Sequence, residues 1–268
     1  MTKHLKNIVK IDQLEGGILR LILNDSKNKN ALSEQMMKEL LDHIFNASSN
    51  NSIRVIIISA VGDVFCSGHN LKEITDARNN EDEGKEYFSN LFNLCSSLMQ
   101  MIVTCSKPVI AEINGVATAA GCQLVASCDL AIASDSSKFA TPGVNIGLFC
   151  STPMVALSRN LSKKNSMKML LTGEMIDSIE AKRISLINDH VPGKNLHSAV
   201  MSVANKIASK SLATVKLGKE AFYRQHEMSL SEAYNYTSAI MTENSLAEDA
   251  KEGIAAFLEK RDPDWKDD

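Results

Sequence analysis

Residues 107–124 read KPVIAEINGVATAAGCQL. Pro108–Ile113 is a short, mostly apolar run that reads as a strand. Small residues follow it, Asn114-Gly115-Val116-Ala117-Thr118-Ala119-Ala120-Gly121-Cys122-Gln123, and Thr118–Cys128 reads as a helix. The first N–H groups of a helix have no acceptor inside it, so a small-residue turn leading into one leaves donors free. The same order of parts occurs upstream. Arg54–Ala60, containing VIIISA, reads as a buried strand, and Phe65-Cys66-Ser67-Gly68-His69-Asn70-Leu71-Lys72 follows it. Two such loops on adjacent strands can aim two N–H donors at one oxygen, the layout of an oxyanion hole. Close packing of helix on strand also places glycine in such turns, and the pattern alone leaves both readings open.

Outward from these loops, apolar runs alternate with amphipathic ones. Asn7–Asp12 and Ile18–Leu23 read as strands joined by a turn at Gly16-Gly17. Ser33 can cap a helix to about Ser48, and Glu86–Thr104 is helical with Phe88, Leu91, Phe92, Cys95, Leu98 and Met99 as its apolar positions. Asp129–Ser134 reads as a further strand. The alternation predicts an α/β fold with mainly parallel pairing. Beyond Thr152 helices dominate: Met154–Leu161, Lys164–Leu171, Glu180–Ser185, Leu196–Ser209, Ala213–Gln225, Ser229–Asn244 and Ala247–Glu259. Ser229 with Glu232, and Asp177 with Glu180, have the spacing of capping boxes. The organisation expected is a core over 1–195 and a helical region over 196–268.

Composition narrows the function classes. The chain has 268 residues, 44% of them hydrophobic, and a formal net charge of −3. That charge offers no basic surface for nucleic acid. No apolar run reaches the roughly 18 residues of a membrane helix. MTKHLKNIVKIDQ lacks the apolar core of a secretory signal and is too short before the first strand to hold a transit peptide. A cytoplasmic protein is expected, or a mitochondrial-matrix one if a transit peptide has been removed. The six cysteines, Cys66, Cys95, Cys105, Cys122, Cys128 and Cys150, form no CxxC pair and lie mostly in apolar stretches. They read as buried thiols in a reducing compartment, with no disulfide and no metal site.

Several segments together resemble the enoyl-CoA hydratase/isomerase (crotonase) superfamily over nearly the whole chain. They are NKNALS near Lys29, VFCSGHNLKE at 64–73, KPVIAEINGVATAAGCQL at 107–124, CDLAIAS at 128–134, FATPGVNIGL at 139–148, LTGEMIDSIEAKRISLIN at 171–188 and EGIAAFLEKRDPDW at 252–265. The stretch from VATAAGCQL to NIGLFCSTP is closer still to the subgroup of enoyl-CoA hydratase domain-containing proteins. The resemblance implies a crotonase-type (ClpP-like) spiral of repeated ββα units, with a helical C-terminal region for trimerisation and hexamers as dimers of trimers. The implied partner is an acyl-CoA thioester, with coenzyme A as part of the substrate and no separate cofactor or metal. The backbone N–H groups of His69 and Ala120 would form the oxyanion hole. Gly68, His69, Asn70, Leu71, Lys72 and Gly121 would line the substrate, and Lys29, Ala31 and Leu32 the mouth of the CoA pocket. Phe257 and Lys260 would reach the CoA of a neighbouring subunit.

One departure bears on the reaction. Members that hydrate use two glutamates to activate water and to protonate the α-carbon. At those positions this chain has Gln123, within Gly121-Cys122-Gln123, and Gly143, within Pro142-Gly143. Glutamine can hold a water by hydrogen bonds but cannot take its proton, and glycine offers nothing. Hydratase and isomerase activity are therefore expected to be slight, which leaves decarboxylation, thioester hydrolysis or non-catalytic acyl-CoA binding as alternatives. Other groups read as structural. Cys150 is expected to line the pocket, as Asn145, Ser151 and Thr152 could. The ring of His69 is expected to serve less than its N–H. Asp63, Glu73 and Asp76 are expected at a helix start or in solvent. Glu112 is expected in an ion pair with a lysine, and Asp129 on backbone N–H groups.

Overall fold

The computed structural model describes residues 7–267. Its strands are β1 (Val9–Leu14), β2 (Ile18–Leu23), β3 (Val55–Ala60), β4 (Val64–Cys66), β5 (Val109–Ile113), β6 (Val116–Thr118), β7 (Leu130–Ser134), β8 (Lys138–Ala140), β9 (Ile176–Asp177) and β10 (Asp189–Val191). Its helices are α1 (Glu34–Ser49), α2 (Leu71–Ala77), α3 (Lys85–Thr104), α4 (Ala120–Ser127), α5 (Ser151–Asn160), α6 (Lys163–Thr172), α7 (Ser178–Arg183), α8 (Leu196–Ala208), α9 (Leu212–Gln225), α10 (Leu230–Leu246) and α11 (Glu248–Glu259).

Two sheets result. The larger runs β1-β2-β3-β5-β7-β10 and the smaller β4-β6-β8-β9. Only the β1–β2 and β8–β9 pairs are antiparallel; the other pairs are parallel, as the alternation predicted. The β1–β2 turn is a 3-10 turn at Glu15–Gly17. Alternation along β3 explains why the larger sheet is buried on both faces. Val55 and Ile57 join Ile110, Ile132 and the apolar stripe of α8. Ile56 and Ile58 face the main core with α1 and α3. Of the three short strands, β4 and β6 were expected to lie within loops or a helix start, and β8 was not foreseen. Each follows a strand of the larger sheet after a tight turn, giving the repeated ββα winding.

Several helix ends carry the expected caps. Ser33 accepts from the Met36 N–H, and Glu232 accepts from both the N–H (3.1 Å) and hydroxyl (2.6 Å) of Ser229. The Asp177–Glu180 box forms only halfway. Asp177 accepts from the Glu180 N–H, but the Glu180 carboxylate turns to Arg183, whose guanidinium binds it through two nitrogens. The expected lysine partner of Glu112 is also corrected. Arg20 grips its buried carboxylate through Nε (3.1 Å) and Nη2 (2.8 Å), and His197 Nδ1 lies 3.5 Å away. Glu112 thus faces α8. Asp129 is structural as expected: it accepts from the Val109 N–H (2.7 Å), Lys219 Nζ (2.7 Å) and Tyr223 hydroxyl (2.8 Å). These last two bonds fasten α9 to the core.

Beyond α9 the chain presents apolar side chains to solvent. Leu230, Tyr234, Met241 and Leu246 on α10, and Ile254, Phe257 and Leu258 on α11, are all exposed. The tail then returns to the core. Asp267 pairs with Arg54 (2.6 Å) and accepts from the Leu212 N–H, while Trp265 Nε1 donates to the Ser209 carbonyl (2.8 Å). No helix among the described residues is long and apolar enough to cross a membrane.

Candidate functional site

Adjacent parallel strands end at the same edge of their sheet, and crevices outside carboxyl ends are where α/β sheets bind ligands. In the smaller sheet, β4 leads into Ser67-Gly68-His69, β6 into Ala119-Ala120, and β8 into Thr141-Pro142-Gly143. The loops after β4 and β6 touch. Gly68 has φ +91°, and a Cβ placed there would lie 2.9 Å from Ala119 Cβ and 3.2 Å from Ala120 N. Thr118 Oγ1 donates to the Ser67 carbonyl at 3.1 Å, tying one loop to the other. Gly121 permits the start of α4 to sit against β4, because a Cβ there would come within 2.1 Å of the Cys66 carbonyl oxygen.

This corner holds two free amides. Ala120 is the first residue of α4, so its N–H has no intrahelical acceptor. Among the described residues neither it nor the His69 N–H has a hydrogen-bond partner. Ala119, which precedes Ala120, has φ 51° and ψ −120°, a conformation that costs a residue with a Cβ about 1–3 kcal/mol. Its N–H donates to the Ala140 carbonyl at 2.9 Å, so the turn is also tied to β8. His69 is held beside Leu32 through the bond from the Leu32 N–H to the Gly68 carbonyl (2.8 Å). Its Nδ1 lies 3.4 Å from the Leu32 carbonyl, and its Nε2 is buried without a partner among the described residues. Burial lowers its pKa, so the ring is neutral at pH 7, and Phe92 packs edge-on against it at 5.5 Å.

Asn30, absent from the sequence-based site, holds the neighbouring strand in place. It is fully buried in the left-handed region (φ 50°), and its amide donates to the carbonyls of Val61 (2.9 Å) and Val64 (2.7 Å). Its Oδ1 accepts from the Asp25 N–H at 2.8 Å. Lys29 beside it is exposed, whereas the side chains of Ala31 and Leu32 are buried. Asn70 caps α2 through Oδ1 and donates to Glu73 Oε1 at 3.1 Å. Glu73 also accepts from the Tyr87 hydroxyl, so it secures the loop, and Leu71 and Lys72 point outward. Phe257, 81% exposed, and Lys260 lie on or just after α11, outside this cluster.

The two positions that lack carboxylates are both buried. Gln123 is 4% exposed, and its Oε1 accepts from the Cys95 thiol at 3.9 Å. Its amide nitrogen has no partner among the described residues. Gly143 opens a 3-10 turn, Pro142–Ile146, that folds back on itself: the Leu148 N–H donates to the Gly143 carbonyl at 2.9 Å. A Cβ at Gly143 would lie 2.7 Å from the Leu148 carbonyl oxygen and 2.9 Å from Cys150 Sγ. Cys150 is buried and its thiol pKa is raised by desolvation, which makes it a poor nucleophile at neutral pH. The other five cysteines are likewise buried and free. Asn145 and Ser151 are exposed. The hydroxyl of Thr141, at the carboxyl end of β8, is buried and unpartnered among the described residues.

Comparison with known proteins agrees with this architecture. Residues 13–268 match the family model described as enoyl-CoA hydratase/isomerase. The mitochondrial enoyl-CoA hydratase domain-containing protein 3 of Xenopus laevis is 49% identical over 265 residues, covering 98% of this chain and 88% of that protein. The crystal structure of the human enoyl-CoA hydratase domain-containing protein 3 superposes with a TM-score of 0.91 at 48% identity, covering 96% of this chain and all of that one. The 2,3-dehydroadipyl-CoA hydratase of Escherichia coli is 29% identical, with 93% of this chain and 95% of that protein aligned. The chain therefore belongs to the enoyl-CoA hydratase/isomerase (crotonase) family.

Proposed function

We propose that the protein binds an acyl-CoA thioester at the carboxyl ends of β4, β6 and β8, and that the His69 and Ala120 N–H groups stabilise its enolate oxygen. The observation that carries this reading is the contact of Gly68 with Ala119 and Ala120, which brings two loops with free amides into one buried corner. Enolate formation is the difficult step at a thioester α-carbon, and preorganised donors in a dry site lower its barrier. Loss of one such donor costs about 2.7–4 kcal/mol in other enzymes. Gly68, Gly121, Asn70, Leu71 and Lys72 line the path of the thioester and its pantetheine arm in this reading. Lys29, Ala31 and Leu32 form the mouth of the CoA pocket, Ala31 and Leu32 through their backbone.

The reading separates the hole from the acid–base pair. With Gln123 and Gly143 in place of two glutamates, hydration of a 2-enoyl-CoA should be slow, since positioned general acids and bases supply about 10²–10⁴-fold. The filled surroundings of Gly143 favour a second reading beside it, a non-catalytic acyl-CoA binder. Decarboxylation is a further outcome for the hole, because departing CO₂ generates the enolate without a base; thioester hydrolysis is another, but it would require a group that activates water.

The exposed apolar side chains of α10 and α11 support assembly of three copies, or six as two trimers. Phe257 and Lys260 would then reach a neighbour's CoA, and 196–268 would act as the oligomerisation region on the core of 1–195. The animal relatives are named as mitochondrial. The compartment proposed here is the matrix where a leader precedes this sequence, and the cytoplasm otherwise.

Calorimetric titration with butyryl-CoA, on the wild type and on Gly68→Ala, tests the hole. Binding should weaken at least tenfold in a variant that stays folded by circular dichroism. Mass spectrometry of crotonyl-CoA, methylmalonyl-CoA and saturated acyl-CoAs after incubation then reports turnover. No binding of any thioester would sink the proposal, and binding without turnover would select the non-catalytic reading.

A further inference from the structure

The surroundings of the acyl end bear on which thioester the site takes. Phe92 and Cys95 lie three residues apart on α3, and so on one face. Phe92 packs on the His69 ring, and Cys95 donates its thiol proton to Gln123 Oε1. One turn of α3 therefore spans from the β4 loop to α4, beside the corner that holds the two free amides. Desolvation pushes the Cys95 pKa up to about 12, so at pH 7 the group is S–H and acts as a donor. With Oε1 occupied by that proton, the amide group of Gln123 leaves its NH₂ facing away from Cys95. That nitrogen has no protein acceptor among the described residues and is not itself fully enclosed, although Gln123 as a whole is only 4% exposed. The Thr141 hydroxyl, at the carboxyl end of β8, is buried and unpartnered among the described residues.

We infer that Gln123 determines specificity as a hydrogen-bond donor to an acceptor oxygen on C3 of the acyl group, selecting malonyl-type or 3-oxoacyl thioesters over saturated and 2-enoyl ones. The inference rests on the acyl-CoA reading above. A glutamate at 123 presents an acceptor and a negative charge, which repel such an oxygen. The side chains named above, His69, Phe92, Cys95, Gln123 and Thr141, carry no negative charge with His69 neutral and Cys95 protonated. Loss of the carboxylates thus removes the repulsion that would exclude a carboxylate-bearing acyl chain. A site built to hydrogen-bond one group also rejects the analogue lacking it, because its own donor is left unpaired.

The test is calorimetric binding of butyryl-CoA, malonyl-CoA and acetoacetyl-CoA to the full-length wild type, Gln123→Met, Gln123→Glu and Cys95→Ala. Malonyl-CoA, acetoacetyl-CoA or both should bind the wild type at least tenfold more tightly than butyryl-CoA, and which of them does so identifies a carboxylate or a keto oxygen as the group read. Gln123→Met should bring that ratio to within about twofold of unity, and Gln123→Glu should reverse it for malonyl-CoA. Cys95→Ala frees Oε1 and lets the amide turn, so it should lower the ratio without abolishing binding. It serves as the second probe should a variant at 123 fail to fold. Equal binding of all three thioesters by the wild type would overturn the inference, as would a preference that survives in Gln123→Met. If no thioester binds at all, the acyl-CoA reading itself fails, an outcome distinct from equal binding.

Discussion

Placing carboxylates at 123 and 143 asks whether their absence alone would account for the slow hydration proposed above. The variants are Gln123→Glu, Gly143→Glu, and the triple Gln123→Glu/Gly143→Glu/Cys150→Ala. Position 123 accepts glutamate without a change of shape. At 143 the added Cβ meets the Leu148 carbonyl oxygen at 2.7 Å, which must retreat by about 0.7 Å to reach ordinary contact near 3.4 Å. It also meets Cys150 Sγ at 2.9 Å, and Cys150→Ala removes that atom. Overpacking of this kind costs about 1–3 kcal/mol, so Gly143→Glu alone should lower the thermal midpoint and gain little activity. Each positioned carboxylate can supply about 10²–10⁴-fold, and groups that act as a unit are strongly non-additive. Gln123→Glu alone should therefore raise crotonyl-CoA hydration modestly, and the triple variant by at least about 10²-fold over wild type. A glutamate as buried as Gln123 also has a raised pKa, so the rate should climb with pH beyond the ordinary carboxylate range. The assay is loss of enoyl-thioester absorbance, with butyryl-CoA titration to confirm that the site persists. A triple variant that folds and binds butyryl-CoA yet hydrates no faster than wild type would refute the reasoning. So would a wild type that turns over at rates typical of enzymes, on the order of 10 per second.

Ala119→Gly relieves φ 51°, and the relief of about 1–3 kcal/mol exceeds the roughly 0.5–1 kcal/mol of extra chain entropy that glycine loses on folding. Its thermal midpoint should rise by a few degrees in differential scanning calorimetry, and a fall would show that the turn is unstrained. Asp267 has its pKa held below the ordinary 3.8, first by its hydrogen bonds from Arg54. Its contribution to the tail's attachment is thus whole above about pH 5 and is lost as pH falls below 3.8 toward the folded-state pKa. The single tryptophan, Trp265, reports this directly: its fluorescence should change at acid pH in wild type, while Asp267→Asn should show the detached signal already at pH 7. All six cysteines are buried, and desolvation pushes Cys66, Cys95 and Cys122 up to about 12, so a disulfide reagent at pH 8 should label native protein very slowly and guanidinium-unfolded protein at once.

What the sequence revealed depended on whether the cause was local. VIIISA reads as a buried strand because every residue in it is apolar or small, and Ser33 reads as a cap because the cap lies within its own turn. The strands β4, β6 and β8 have three residues each, and their parallel pairing partners lie 22 to 52 positions away in the sequence, so nothing local marks them. Arg20 finds Glu112 across 92 residues, which is why the carboxylate was assigned a lysine. In the site, the glycines at 68 and 121 were legible as close approaches. Ala119 was not, since nothing in its identity announces a positive φ. Cys95 and Thr141 likewise look like ordinary core residues until their neighbours are known. Asn30 sat inside a quoted motif, yet its burial and its three hydrogen bonds emerge only when Val61 and Val64 are placed beside it.

The separation of the proposed hole from the absent carboxylates has a structural origin. The two donors proposed here are backbone groups, and their positions are set by contacts that exclude a Cβ: Gly68 against Ala119 and Ala120, Gly121 against the Cys66 carbonyl. Those contacts do not involve the side chains at 123 or 143. Gln123 points to α3, and Gly143 lies in a turn whose nearest neighbours are Leu148 and Cys150. Side-chain chemistry can therefore change at both positions while the corner formed by β4 and α4 stays where it is. The reverse does not hold. A methyl group at Gly121 would meet a carbonyl oxygen at 2.1 Å, and relieving that contact means moving the start of α4, which carries Ala120 and Gln123 together. On this scaffold the placement of the His69 and Ala120 amides is tied to the fold, whereas carboxylates at 123 and 143 are an addition that the fold does not require.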